Sequence, residues 1–147
     1  MAAKDILFFY EDTQFKLKHL GKLRAWLYNV AKREDHLIRS INFIFCSDNY
    51  LFEMNKSYLD HHDLTDIITF DNSESIKIVG DIFISIDRAM DNSNQLNISL
   101  DNEVNRLMVH GLLHLLGYKD KSKKDRKIIG KRRNNMWFLI FLSLLLP

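Results

Sequence analysis

His110 and His114 stand four residues apart in the stretch His110-Gly-Leu-Leu-His114-Leu-Leu-Gly117-Tyr-Lys-Asp120. On a helix, residues at that spacing lie about 40° apart around the axis and about 6 Å apart along it. Two imidazoles so placed converge on one ion at about 2.0–2.1 Å per bond. Gly117 lets the chain leave the helix through a turn that side chains resist. Three residues on, Asp120 can swing a carboxylate back beneath the histidines. The set is two nitrogens and one oxygen on one side of an ion, with a position left for water. A bare His-x3-His pair is a weak signal, since one ring can be packed in a core and the other solvated. The downstream glycine and acid strengthen it. The expected metal ligands are therefore His110, His114 and Asp120, with Zn2+ the expected cation and another divalent transition metal the alternative.

This spacing is also that of metzincin zinc proteases, in which Glu follows the first histidine and serves as general base. Gly111 occupies that position here, which disfavours a protease of that mechanism.

Several elements must position these residues. Ile6 to Tyr10 is a short apolar run of strand type, and Phe8, Phe9, Tyr10 and Phe15 read as core. Apolar residues at helical spacing from Phe15 to Val30 predict an amphipathic helix. Ile41 to Cys46 predicts a buried strand, and Asp48 an N-cap for a helix through Leu51, Phe52, Met54 and Tyr58. Asp66 to Phe70 and Val79 to Ile86 predict two strands of one sheet, with Asp71, Asn72 and Ser73 turning between them. A helix is expected over Asp87 to Gln95. Another begins at Ser99, carries Val104, Leu107, Met108, Leu112 and Leu115, and stops at Gly117. The order βαβαββαα indicates an α+β domain, a small central mixed sheet with surrounding helices, one of them a zincin-like metal-binding helix.

The 147 residues suit one domain, and 46% apolar with 27% charged residues is ordinary for a globular chain. The lone Cys46 cannot form an internal disulfide. Met1 to Tyr10 does not read as a secretory signal. Trp137 to Leu146 is nearly all apolar but falls short of the roughly twenty residues that span a bilayer. The expectation is a cytoplasmic protein without membrane partners. Net charge is +2, yet Lys119 to Arg133 holds nine Lys or Arg against two Asp, leaving a negative remainder. Such asymmetry suits a nucleic-acid contact or a solvated helix face.

Three ordered blocks carry a resemblance: Thr65-Asp-Ile-Ile-Thr-Phe70, Gly80-Asp-Ile-Phe-Ile-Ser85, and His110-Gly-Leu-Leu-His114-Leu-Leu-Gly-Tyr. Over about residues 5–130 the sequence resembles the YbeY rRNA maturation factors, a family of metal-dependent endoribonucleases. The resemblance implies a zinc site, a small α+β fold, single-strand-specific cleavage in 16S rRNA 3′-end maturation, and a role in ribosome quality control. Ribosomal RNA and the small ribosomal subunit are the implied partners. Where the family pattern has a third histidine, this chain has Asp120, itself an ordinary zinc ligand. Where many members carry an arginine, it has Leu59. Phosphate contact would then fall to Lys56, His61 or His62, residues whose default reading is a solvated loop.

On this reading the metal would polarise a phosphoryl oxygen or activate a water molecule for attack on phosphorus. Asp81 is the candidate for an additional catalytic group, because its strand is expected beside the site; a carboxylate capping backbone amides is the rival reading. Glu103, on nearly the same helix face as the histidines, is either support for the metal ligands or an acid placed by the helix dipole. The alternative functions are a non-catalytic, metal-containing factor that associates with ribosome or RNA and, more weakly, a metallopeptidase. Residues 1–130 form the expected domain, and 131–147 an atypical basic and apolar tail. Two readings of that tail stay open. Either the frame shifts in an A-rich run (Lys131-Arg-Arg-Asn-Asn135 becoming Lys-Glu-Glu-Ile), or the tail is a genuine apolar helix packed on the sheet.

Overall fold

The computed structural model describes residues 5–59 and 65–145, excepting the side chains of 57–59 and 137–145. His61, His62 and the Leu59 side chain, all weighed above, lie outside the described set. The element order is β1 (Ile6–Glu11), α1 (Leu20–Arg33), β2 (Leu37–Cys46), α2 (Asp48–Leu59), β3 (Ile67–Asp71), β4 (Lys77–Ser85), α3 (Ile86–Leu96), α4 (Leu100–Leu115) and α5 (Lys123–Leu145). The sheet order is β1-β2-β4-β3. β1 and β4 flank β2 in parallel, and β3 closes the edge antiparallel to β4. This is the expected α+β fold with a mixed sheet.

Alternation along the strands separates two faces. Ile6, Ile41, Phe43, Phe45, Ile78, Ile82 and Ile84 are buried on one face against residues of α1 and α4 such as Leu23, Leu27, Met108 and Leu112. Phe8, Tyr10 and Phe15 cluster around Phe43 and Phe45 with ring centroids 5.6–6.3 Å apart. Phe9 is the exception to the expected aromatic core. It is 44% exposed, because period-two geometry turns it to the opposite face from Phe8 and Tyr10. A smaller cluster of Cys46, Leu51 and Ile68, with Phe70 and Phe83, joins α2 to that opposite face.

Several expected boundaries shift by local chemistry. α1 begins at Leu20 rather than near Phe15, after His19 in a left-handed conformation. The cap of α2 is Ser47, whose hydroxyl accepts from Tyr50 N at 3.1 Å; Asp48 is instead drawn to Arg88, with three guanidinium contacts at 3.0, 3.1 and 3.2 Å. β4 stops one residue short of Ile86, because Ser85 caps α3 by accepting from Arg88 N at 3.2 Å. α5 opens on a reciprocal cap between Ser122 and Asp125 and runs unbroken across residue 130. It buries Ile129 and Met136 and packs chiefly on α1 and α4 rather than on the sheet. The indole of Trp26 donates to Met136 O at 2.8 Å in a buried contact. No helix among the described residues is long and apolar enough to cross a membrane.

α4 lies on the sheet at two glycines. A Cβ on Gly111 would meet Ile82 Cγ2 at 2.8 Å and Ile67 Cδ1 at 3.0 Å. A Cβ on Gly80 would meet Phe70 O at 2.6 Å and both Leu115 methyls at 3.0 Å. Gly80→Ala therefore strikes backbone and is expected to cost about 1–3 kcal/mol in urea unfolding. Gly111→Ala strikes side chains and regains up to about 1 kcal/mol of helix propensity, so it should cost clearly less. Equal losses, or the reverse order, would contradict this account of the packing.

Candidate metal centre

α4 is started by Ser99, whose hydroxyl accepts from Asn102 N at 3.1 Å. It ends in a Schellman turn: Tyr118 N donates to Leu113 O and Gly117 N to His114 O, both at 3.0 Å, with Gly117 at φ 104°. That turn brings residues 118–120 back past the last helical turn. Asp120 Oδ2 thereby lies 3.4 Å from His114 Nε2, and the Nε2 atoms of His114 and His110 are 3.2 Å apart. The three side chains offer ligand atoms all within 4.8 Å of one another. Bonds of about 2.0–2.1 Å in a tetrahedron place ligand atoms about 3.3–3.4 Å apart. The donor types suit a divalent cation, and the His110–His114 and His114–Asp120 distances match that spacing. The histidines are half-buried and Asp120 is exposed, so the donor set lies at the edge of the protein, open to solvent on the Asp120 side.

The surroundings of the two rings differ. His114 Nδ1 lies 3.2 Å from Tyr118 O; the carbonyl is an acceptor, so Nδ1 carries the proton and Nε2 keeps a lone pair that a cation could take. The Tyr118 hydroxyl is held in turn by Glu34, which also accepts from Arg132 at 3.2 and 3.3 Å. Burial alone would raise the Glu34 carboxyl, but Tyr118 and Arg132 outweigh it and hold it below its usual range. His110 Nδ1 instead meets the Arg133 guanidinium at 3.3 Å. Burial, reinforced by His114 and Arg133, pushes the His110 imidazole down to about 4.

Asp81 is not brought to the histidines. Gly80 and Ile82 face α4, so alternation turns Asp81 to the other face, where it accepts from Asn42 Nδ2 at 2.9 Å. Nor does Glu103 touch the ligands. It is fully buried, bound by Arg106 at 2.6 and 2.8 Å, and joined through Asn92 to Asp66 at 2.9 and 3.0 Å. Its role is to tie α4 to α3 and to the start of β3. Exposed Lys119, Lys121, Lys123, Lys124, Arg126 and Lys127 border Asp120, and Arg126 clasps the carbonyls of Asp120 and Lys121 at 3.4 and 3.2 Å. Tyr118 and Arg133 were not singled out as site residues in the sequence. The Gly117 turn could have pointed to Tyr118, whereas nothing local points to Arg133.

The sequence profile of the family described as Endoribonuclease YbeY matches residues 8–138. A Cytophaga hutchinsonii protein named Endoribonuclease YbeY is 51% identical over 135 residues, covering 91% of this chain and 94% of its own. One from Amoebophilus asiaticus with the same name is 42% identical, at 91% and 92% coverage. A solution structure of a Thermotoga maritima protein superposes with a TM-score of 0.69 at 22% identity, covering 94% of this chain and 91% of that one. That last likeness is one of fold.

Two outcomes follow from the buried polar groups. Arg106→Met would leave the fully buried Glu103 carboxylate without its cation, and unfolding at neutral pH should show a loss of about 3–5 kcal/mol. In chelator-treated protein, an unfolded imidazole takes its proton near pH 6.5, whereas native His110 takes it near 4. Between those values the unfolded state holds more protons, so stability is full above pH 6.5 and falls as pH drops, by up to about 3 kcal/mol by pH 4. His110→Gln should flatten that slope; an unchanged slope would refute the assignment.

Proposed function

The chain belongs to the endoribonuclease YbeY family, and we propose that it is a metal-dependent endoribonuclease whose cation is held by His110, His114 and Asp120. The single observation that carries the reading is the convergence of those three side chains on a solvent-facing side of α4, with ligand atoms 3.2 and 3.4 Å from His114 Nε2 and all within 4.8 Å of one another. Zn2+ is the cation that two imidazoles and one carboxylate suit best. When bound, it would supply Lewis-acid polarisation of a phosphoryl oxygen.

The chain's own residues do the rest. Asp120 is the exposed member of the ligand set, so substrate reaches the centre without passing through the core. The exposed lysines and Arg126 around it offer a cationic track for a phosphate backbone, a contact that carries affinity rather than sequence choice. Gly111, where a metzincin has its basic glutamate, is enclosed by Ile82 and Ile67, which leaves no room there for a protease-type base. Single-stranded RNA is the favoured substrate, since an open strand leaves its backbone free to follow the exposed cationic residues to Asp120. The working unit is the domain of residues 1–130, backed by the first turns of the tail. Maturation of the 16S rRNA 3′ end on the small ribosomal subunit, in the cytoplasm, completes the proposal.

The test is incubation of purified, Zn2+-loaded protein with single-stranded rRNA precursor. Cleavage should be abolished by chelator and restored by metal. His114→Ala should lose at least about 100-fold, since loss of an outer partner alone costs about 10–100-fold. RNA binding that survives chelation with no metal-dependent cut would replace the enzyme by a binding factor.

A further inference from the structure

Arg133 lies on the face of α5 that packs against α4, half-buried, with Nη1 3.3 Å from His110 Nδ1. Its Nε is the one buried side-chain polar atom without a hydrogen-bond partner among the described residues. Its charge is disfavoured there, first by burial and then by Arg106, with Glu103 and Asp66 opposing. The guanidinium is therefore not placed for its own stability.

A guanidinium has donors only. Against His110 Nδ1 it needs a lone pair, which in a neutral imidazole puts the proton on Nε2. That nitrogen faces His114 Nε2 at 3.2 Å, on the side where the three side chains converge. Ligation through Nε2 demands the opposite tautomer, with the Nδ1 proton donated to a carbonyl or carboxylate. His114 meets that demand through Tyr118 O. His110 meets a donor instead, and a fixed positive charge stands behind the ring that must carry a divalent cation.

We propose that Arg133 is a positioning residue that acts through His110, holding its imidazole in the tautomer that withholds Nε2 and so weakening the site's hold on its cation. The inference rests on the reading of His110, His114 and Asp120 as a metal centre. The affinity of that centre is then set from α5, by a residue that touches neither ion nor substrate.

The full-length chain, Arg133→Gln, Arg133→Met and His114→Ala are titrated with Zn2+ alone against a chromophoric chelator. Arg133→Gln supplies an acceptor for Nδ1–H and should bind Zn2+ about tenfold tighter or more. Arg133→Met removes the cation without supplying an acceptor and should gain less. Long-range proton–nitrogen NMR on chelator-treated wild type should show the His110 proton on Nε2. Loss of the unpartnered Nε should leave the thermal midpoints of both Arg133 variants at or above wild type, so a gain or loss of affinity is read on folded protein. Equal or weaker binding by Arg133→Gln, or a proton on Nδ1 in the wild type, overturns the proposal while His114→Ala still loses metal. Equal Zn2+ binding by all four proteins overturns both the proposal and the metal centre beneath it.

Discussion

The distance between α4 and the sheet governs everything at the site. Gly111 removes a Cβ that would stand 2.8 Å from Ile82, and Gly80 one that would stand 3.0 Å from the Leu115 methyls, and the helix settles directly on β3 and β4. Its packed face is apolar almost to the end, with Met108, Leu112 and Leu115 buried. His110 and His114 then emerge together at the margin of that face, half in the core and half toward solvent. Half-burial is what a ligand needs: fixed rotamers, low water access behind the ring, and an open side in front. Were α4 held farther out by larger residues, the histidines would be solvated side chains with many rotamers, and convergence would cost conformational entropy at each binding event.

Two polar networks hold the margins of this contact. Glu103, Arg106, Asn92 and Asp66 satisfy one another under α4, joining it to α3 and to the entry of β3. Glu34, Tyr118 and Arg132 join the end of α1, the turn after α4 and the tail helix. The second network has a direct chemical consequence. Fixing the Tyr118 ring helps fix its backbone, whose carbonyl selects the tautomer of His114. Hydrogen bonds across three elements thus bear on the orientation of one lone pair.

The convergence of His110, His114 and Asp120 was legible because it is local. Four residues of helix and one glycine turn place His110, His114 and Asp120 by chain geometry alone, and the strand and helix order followed from periodicity for the same reason. What failed depended on relations between elements. Asp81 lies in the strand beneath the helix, as expected, but which face it takes depends on where β4 meets α4, and Gly80 rather than Asp81 makes that meeting. Glu103 shares the helix and nearly the angle of the histidines, yet Arg106 and Asn92 claim it. Asp48 looked like a helix cap until Arg88, forty residues on, drew it away and left the role to Ser47. Each error is a competition between a local partner and one brought by the fold.

Arg133 is the extreme case. Nothing in a run of Lys and Arg after the motif says which cation will be solvated, which will pair with Glu34 and which will be pressed against a ligand. The sheet, α4 and α5 must all be assembled before the guanidinium meets His110. The motif gives both histidines the same standing, and the assembled chain separates them. One donates to a carbonyl, as a ligand should, and the other faces a donor in a place where a proton cannot be shared. Donor count and spacing therefore mark where an ion could sit, while on the proposed reading the group behind each ring sets how firmly it would be held.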